Sequence, residues 1–94
     1  MKIFKDLEFR PHLTGKGLHA VMLFENGYGV SVVRFRIGGT YGSFTDNENE
    51  WELAIVKKAK DGFDLVFDSG ISDDVLGHLS EKDVTDVMRK VQEL

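Results

Sequence analysis

The sequence predicts an α+β domain: a four- to five-stranded antiparallel meander sheet with a C-terminal helix packed on one face. Three observations predict it. Apolar residues recur at every second position in several segments of the first two thirds of the chain, as at Trp51, Leu53 and Ile55. Asn26-Gly27 and Asp61-Gly62 separate such segments, and both dipeptides suit tight hairpin turns. After Ser80 the spacing becomes helical, with Val84, Val87, Met88, Val91 and Leu94 in one stripe.

The elements follow in order. Leu7 and Phe9 alternate with Glu8 and Arg10 until Pro11, which reads as a short edge strand. Residues 18–24, LHAVMLF, form a strand with apolar residues on both parities, so it is either buried on much of both faces or left without an assigned face. Residues 30–37, VSVVRFRI, are its hairpin partner. Val33, Phe35 and Ile37 share one face; Arg34 and Arg36 share the other with Val30 and Val32. Residues 38–50 read as a long polar loop rich in glycine and acids. In WELAIVKK, Trp51, Leu53 and Ile55 oppose Glu52, Ala54 and Val56. In FDLVFD, Phe63, Leu65 and Phe67 are expected inward and Asp64 and Asp68 outward. One helical turn is expected next, with Ser72 as N-cap and Gly77 ending it.

Ser80 is the expected N-cap of the final helix. Glu81 and Asp83 near its start and Arg89 and Lys90 near its end complement the helix dipole. Asp86 and Lys90 have the spacing of a surface pair. The helix is the one large element able to cover a sheet face, which leaves the other face open to water or a partner. Val30, Val32 and Val56 are expected on that uncovered side, which favours a homodimer.

Composition narrows the function. Residues 1–94 make a single domain, and a net charge of −4 argues against general nucleic-acid binding. With no cysteine there is no disulfide, thiolate metal site or cysteine nucleophile. His12, His19 and His78 lack metal-ligand spacing, and no cofactor motif is present. No apolar run approaches the ~20 residues of a membrane span, and the first residues lack the apolar stretch of a signal peptide.

The glycine clusters read as turns. GYGVSV lacks the third glycine of a dinucleotide fingerprint and leads into a strand, and GGTYGS lacks the lysine of a phosphate loop. TDNENEWE alternates acids but has Trp51 where a calcium loop needs glycine. No G-x-S-x-G elbow occurs, so the chain reads as non-enzymatic. Arg34 and Arg36, flanked by Tyr28 and Tyr41, are the candidate binding residues, since arginine with tyrosine suits an interface or an anion. The alternative is a pair of solvated arginines answering Glu52 or Asp64 on neighbouring strands.

FENGYGVSVVR at residues 24–34, WELAIV at 51–56, the tail from residue 71 and the opening FKDLEFRPH together resemble a set of small proteins of tailed bacteriophages and prophages. The likeness runs over most of the chain and rests on patterned segments, not on a catalytic signature. It transfers no activity and no site residue. It implies an accessory protein made in the cytoplasm of an infected bacterium. The expected function is binding of a host or phage protein. The alternatives are a nucleotide-like anion held near Gly38, Gly39 and Gly42, or a minor virion or assembly component.

Overall fold

The computed structural model describes residues 1–11, 17–37, 40–41, 50–66, 70–71 and 76–94; for 35–37 and 40–41 it describes the backbone alone. Among the described residues, seven strands and one helix follow a short 3-10 turn, Phe4–Asp6. The strands are β1 (Arg10–Pro11), β2 (Gly17–Leu23), β3 (Tyr28–Ile37), β4 (Thr40–Tyr41), β5 (Trp51–Ala59), β6 (Gly62–Leu65) and β7 (Leu76–Leu79). The helix α1 is Glu81–Gln92. The sheet runs β1-β2-β3-β5-β6, with β4 paired to β3 and β7 to β5, and every pairing is antiparallel. This is the expected meander with its C-terminal helix.

Local chemistry explains the turns. Between β2 and β3 the loop is Glu25, Asn26 and Gly27. The Gly27 N–H donates to the Phe24 carbonyl at 3.0 Å and the Phe24 N–H to Tyr28 at 2.7 Å. Gly27 has φ of 87°, the left-handed residue that such three-residue hairpins require. The second hairpin turns at Lys60–Asp61, with Gly62 already paired to Ala59. Pro11 is tolerated because it faces Leu18 at a non-hydrogen-bonded position of an edge strand, where no N–H is needed.

Register decides which face is covered. Val30 lies opposite Ile55 and Val32 opposite Leu53; on the β2 side they meet Met22 and Ala20. Val30, Val32, Trp51, Leu53 and Ile55 are buried with Val84, Met88 and Val91 of α1. The expectation that Val30 and Val32 face the uncovered side is therefore wrong: their face, which Arg34 shares, is the one α1 covers. Val56 does lie on the opposite face, but it is fully buried. Phe63 and Leu65 are corrected too. They pair with Lys58 and Val56, which puts them on the face opposite α1, uncovered among the described residues, and α1 packs over β3, β5 and β7 but not over β6. Phe67 and Asp68 lie outside the described residues.

Leu76 and Gly77, the expected end of a helical turn, belong instead to strand β7; residues 72–75 lie outside the described residues. Leu79 pairs with Trp51 and Leu76 with Leu53, so three steps on β7 match two on β5. This bulge lets two leucines three apart both meet core residues, and His78 within it takes a φ of 57°. Ser72 lies outside the described residues. Within residues 38–50, Thr40 and Tyr41 are not loop but pair with Ile37 and Arg36; the remainder, apart from Glu50, is outside the described residues.

The helix begins as expected. Ser80 Oγ accepts from the Asp83 N–H at 3.1 Å, and an Asp83 carboxylate oxygen accepts from the Ser80 N–H at 3.0 Å. Asp86 lies 3.9 Å from Lys82. The first residues are strapped along α1. The Gln92 side chain accepts from the Lys2 N–H and donates to the Lys2 carbonyl, each at 2.8 Å, and the Phe4 N–H donates to Thr85 Oγ1 at 3.0 Å.

Candidate interaction surface

Of Arg34, Arg36, Tyr28 and Tyr41, the structure describes the side chains of Arg34 and Tyr28, and it does not bring those two together. The Arg34 guanidinium stacks over Trp51, 4.3 Å from the ring centroid, at the margin of the covered face. Trp51 in turn packs on Phe9 and Phe4, with centroids 4.5 and 5.4 Å away. Arg34 thus roofs an aromatic cluster. Tyr28 sits six residues away, about 20 Å along an extended strand. It packs against the core with the Lys57 ammonium 5.7 Å from its ring. Arg36 and Tyr41 are register partners in the β3–β4 pair. Their side chains lie outside the described residues.

The uncovered face is built by the other parity. One row crosses four strands: Leu23, Gly29, Val56 and Leu65 are consecutive register partners. Val21 and Ser31 lead the next row into Ala54, and Phe63 flanks the first row beside Lys58. Leu23 is 40% exposed, Phe63 40% and Leu65 51%, and Val21 is exposed too. Large apolar side chains clustered on one face mark interaction sites more often than scattered ones do.

Gly29 shapes this row. A Cβ there would collide with the Met22 carbonyl oxygen and stand 2.9 Å from Leu23 Cδ2. Leu23 therefore folds across the glycine and fills the space a side chain would take. No protein-family model, curated protein or solved structure matches the chain. The interaction surface is thus read from geometry alone.

Polar groups border the apolar row. His19 Nε2 lies 3.2 Å from Ser31 Oγ on the uncovered face. That contact resembles a nucleophile with its base, but Ser31 lies mid-strand. Its own N–H and C=O point to β5, and those of Val32 point to β2, so neither offers a free amide to hold an oxyanion. Glu52 shares this face, opposite Val33, and one of its carboxylate oxygens is buried without a hydrogen-bond partner. Beyond it, His78 Nδ1 lies 3.4 Å from Glu50. Among the described residues no cluster of histidines and acids could hold a metal ion.

A cleft of about 660 Å³ opens where the β2–β3 turn meets the first residues and the end of α1. Lys2, Asp6, Leu23, Glu25, Asn26 and Gln92 line it. Sequence reasoning expects an open sheet face, but it misses Phe63 and Leu65 on it because it places them in the core. The signal that could have found them is the excess of apolar residues. Both parities of β2, β3 and β5 are apolar, more than one twelve-residue helix can cover.

Proposed function

We propose that this chain is a non-enzymatic accessory protein of a tailed bacteriophage that binds a host or phage protein in the infected cell, using the uncovered sheet face. The carrying observation is the row Leu23–Gly29–Val56–Leu65 with Val21 and Phe63 beside it, where exposed apolar side chains surround a fully buried valine. Such a patch gives a partner an apolar centre to desolvate, with Lys58 as part of its rim. The phage context rests on the sequence resemblance alone.

The interface proposed here differs from the arginine–tyrosine set. Arg34 is already spent on Trp51, and Tyr28 on the core. The test is capture from infected cells with a tagged chain, comparing the wild type with a Phe63→Ser/Leu65→Ser variant. Loss of the captured protein from a folded variant supports the face. Equal capture by both removes it.

A further inference from the structure

We propose that two copies of this chain pack with their uncovered sheet faces together and their strands antiparallel, so that Lys58 of each copy meets Glu52 of the other. The proposal rests on reading that face as adhesive, but it concerns the free chain. Register carries it. Met22, Val30 and Ile55 lie on one line across β2, β3 and β5, and all three pack into the core under α1. Their neighbours along each strand belong to the other face: Val21 and Leu23, Ser31 and Gly29, Ala54 and Val56. Three steps from Ile55 in either direction, β5 carries Glu52 at one end of this face and Lys58 at the other.

Neither charge is answered within one copy. Lys58 is exposed and has no ion-pair partner among the described residues. Glu52 has none either, and one of its carboxylate oxygens is buried without a hydrogen bond. The residue as a whole is half-buried, which leaves the carboxylate within reach of a cation. The two stand six residues apart on one extended strand, about 20 Å, too far to meet each other.

The face is complementary to itself in one orientation. A two-fold axis beneath the line Met22–Val30–Ile55 reverses the strands and keeps β5 over β5. Two-fold symmetry is the commonest of oligomers. Leu23 of each copy then covers Val21 of the other, and these exposed apolar side chains leave water together. Lys58 of each comes over Glu52 of the other. Face-to-face sheets lie about 10 Å apart, a gap that a lysine and a glutamate reaching toward each other close. A two-fold along the strands would instead gather both lysines at one end and both carboxylates at the other. His19 and Ser31, 3.2 Å apart, partner each other inside the face, so burial leaves that hydroxyl satisfied. Charge and register therefore select a second copy in this orientation as the occupant. A host or phage protein bound on the same face has to displace it.

Sedimentation equilibrium of the purified chain across the micromolar range tests the association. The mass should rise from 10.6 kDa toward twice that value. Carbodiimide joins an amine to a carboxylate in direct contact. On the wild type it should link Lys58 to Glu52, which only two copies together allow, and peptide mass mapping reads the link. Lys58→Glu should weaken the dimer several-fold, and adding Glu52→Lys should restore it, with circular dichroism confirming that both variants fold. A monomer mass throughout overturns the proposal. So does a dimer without the Lys58–Glu52 link, or a folded double variant that associates as weakly as Lys58→Glu. If the double variant misfolds, the wild-type link decides alone. None of these readouts uses partner capture, so failure here and failure of the partner-binding reading are separately visible.

Discussion

The Asn26 side-chain amide donates to the Val91 carbonyl at 2.9 Å and lies 3.2 Å from the Leu94 carbonyl, while its oxygen accepts from the Tyr28 N–H at 3.0 Å. One residue of the first hairpin thus closes its own turn and caps the far end of the helix. The Val91 carbonyl also accepts from the Leu94 N–H at 3.2 Å, and Leu94 lies just past the helix, so a side chain from a distant turn gathers two carbonyls at the helix end. The contact fixes how α1 lies over β3.

Replacing Asn26 separates the two roles. Asn26→Ala loses both and should cost about 1–3 kcal/mol, the range for leaving part-buried polar groups unpaired. Asn26→Asp keeps the acceptor for Tyr28 but puts an anion against the negative end of the helix dipole. It should therefore also destabilise, although aspartate suits turns. Urea unfolding of both variants is the check, and an Asn26→Asp protein as stable as wild type would show that the turn alone matters.

Arg34→Ala should now lower stability by about 0.5–2 kcal/mol, because it removes a cation from the face of Trp51 and opens the aromatic cluster to water. Trp51 fluorescence should shift to longer wavelength in the folded variant. A solvated arginine would leave both stability and emission unchanged.

Gly29→Ala should destabilise by about 1–3 kcal/mol, since a methyl group meets the Met22 backbone oxygen and the Leu23 side chain must move. Thermal melts measure it. A neutral result would mean that β2 and β3 do not approach as closely as described.

The capping box makes a pH prediction. Hydrogen bonds from Ser80, first from its backbone N–H and then from its side chain, hold the Asp83 carboxyl below its ordinary value near 3.8. A carboxyl depressed in the folded state stabilises above the unfolded value and loses that contribution as pH falls through the folded one. Wild type should therefore lose this increment below about pH 4. Ser80→Ala should cost about 1 kcal/mol at neutral pH and show a shallower acid limb. Carboxyl chemical shifts read against pH report Asp83 directly, and a titration at its ordinary value would contradict the box.

Much of this fold is legible in the residues. Period two at Trp51, Leu53 and Ile55 and the stripe Val84, Met88, Val91 name both halves of the core correctly. Ser80 as N-cap is equally readable. The faces of β3 are not, because valines occupy both parities, and only the register Val32 to Leu53 chooses between them. Leu94, placed in the stripe, ends exposed past the last turn. Leu76 and Leu79 are three apart, as in a helix, but a bulge gives a strand the same spacing. Alternation in Phe63–Leu65 marks a strand correctly but not its side. That depends on how far α1 extends across the sheet, which is a tertiary fact.

The central claim is that the uncovered face, and not the arginine set, binds the partner. Quantitative capture from infected-cell lysate by wild type, Arg34→Ala and Phe63→Ser/Leu65→Ser tests it most directly, with circular dichroism confirming that each is folded. A desolvated apolar anchor is worth at least about 2 kcal/mol, more than tenfold in affinity. The account predicts that the Phe63/Leu65 variant loses the partner while Arg34→Ala keeps it. Retention by the folded Phe63/Leu65 variant, with loss in Arg34→Ala, would contradict it.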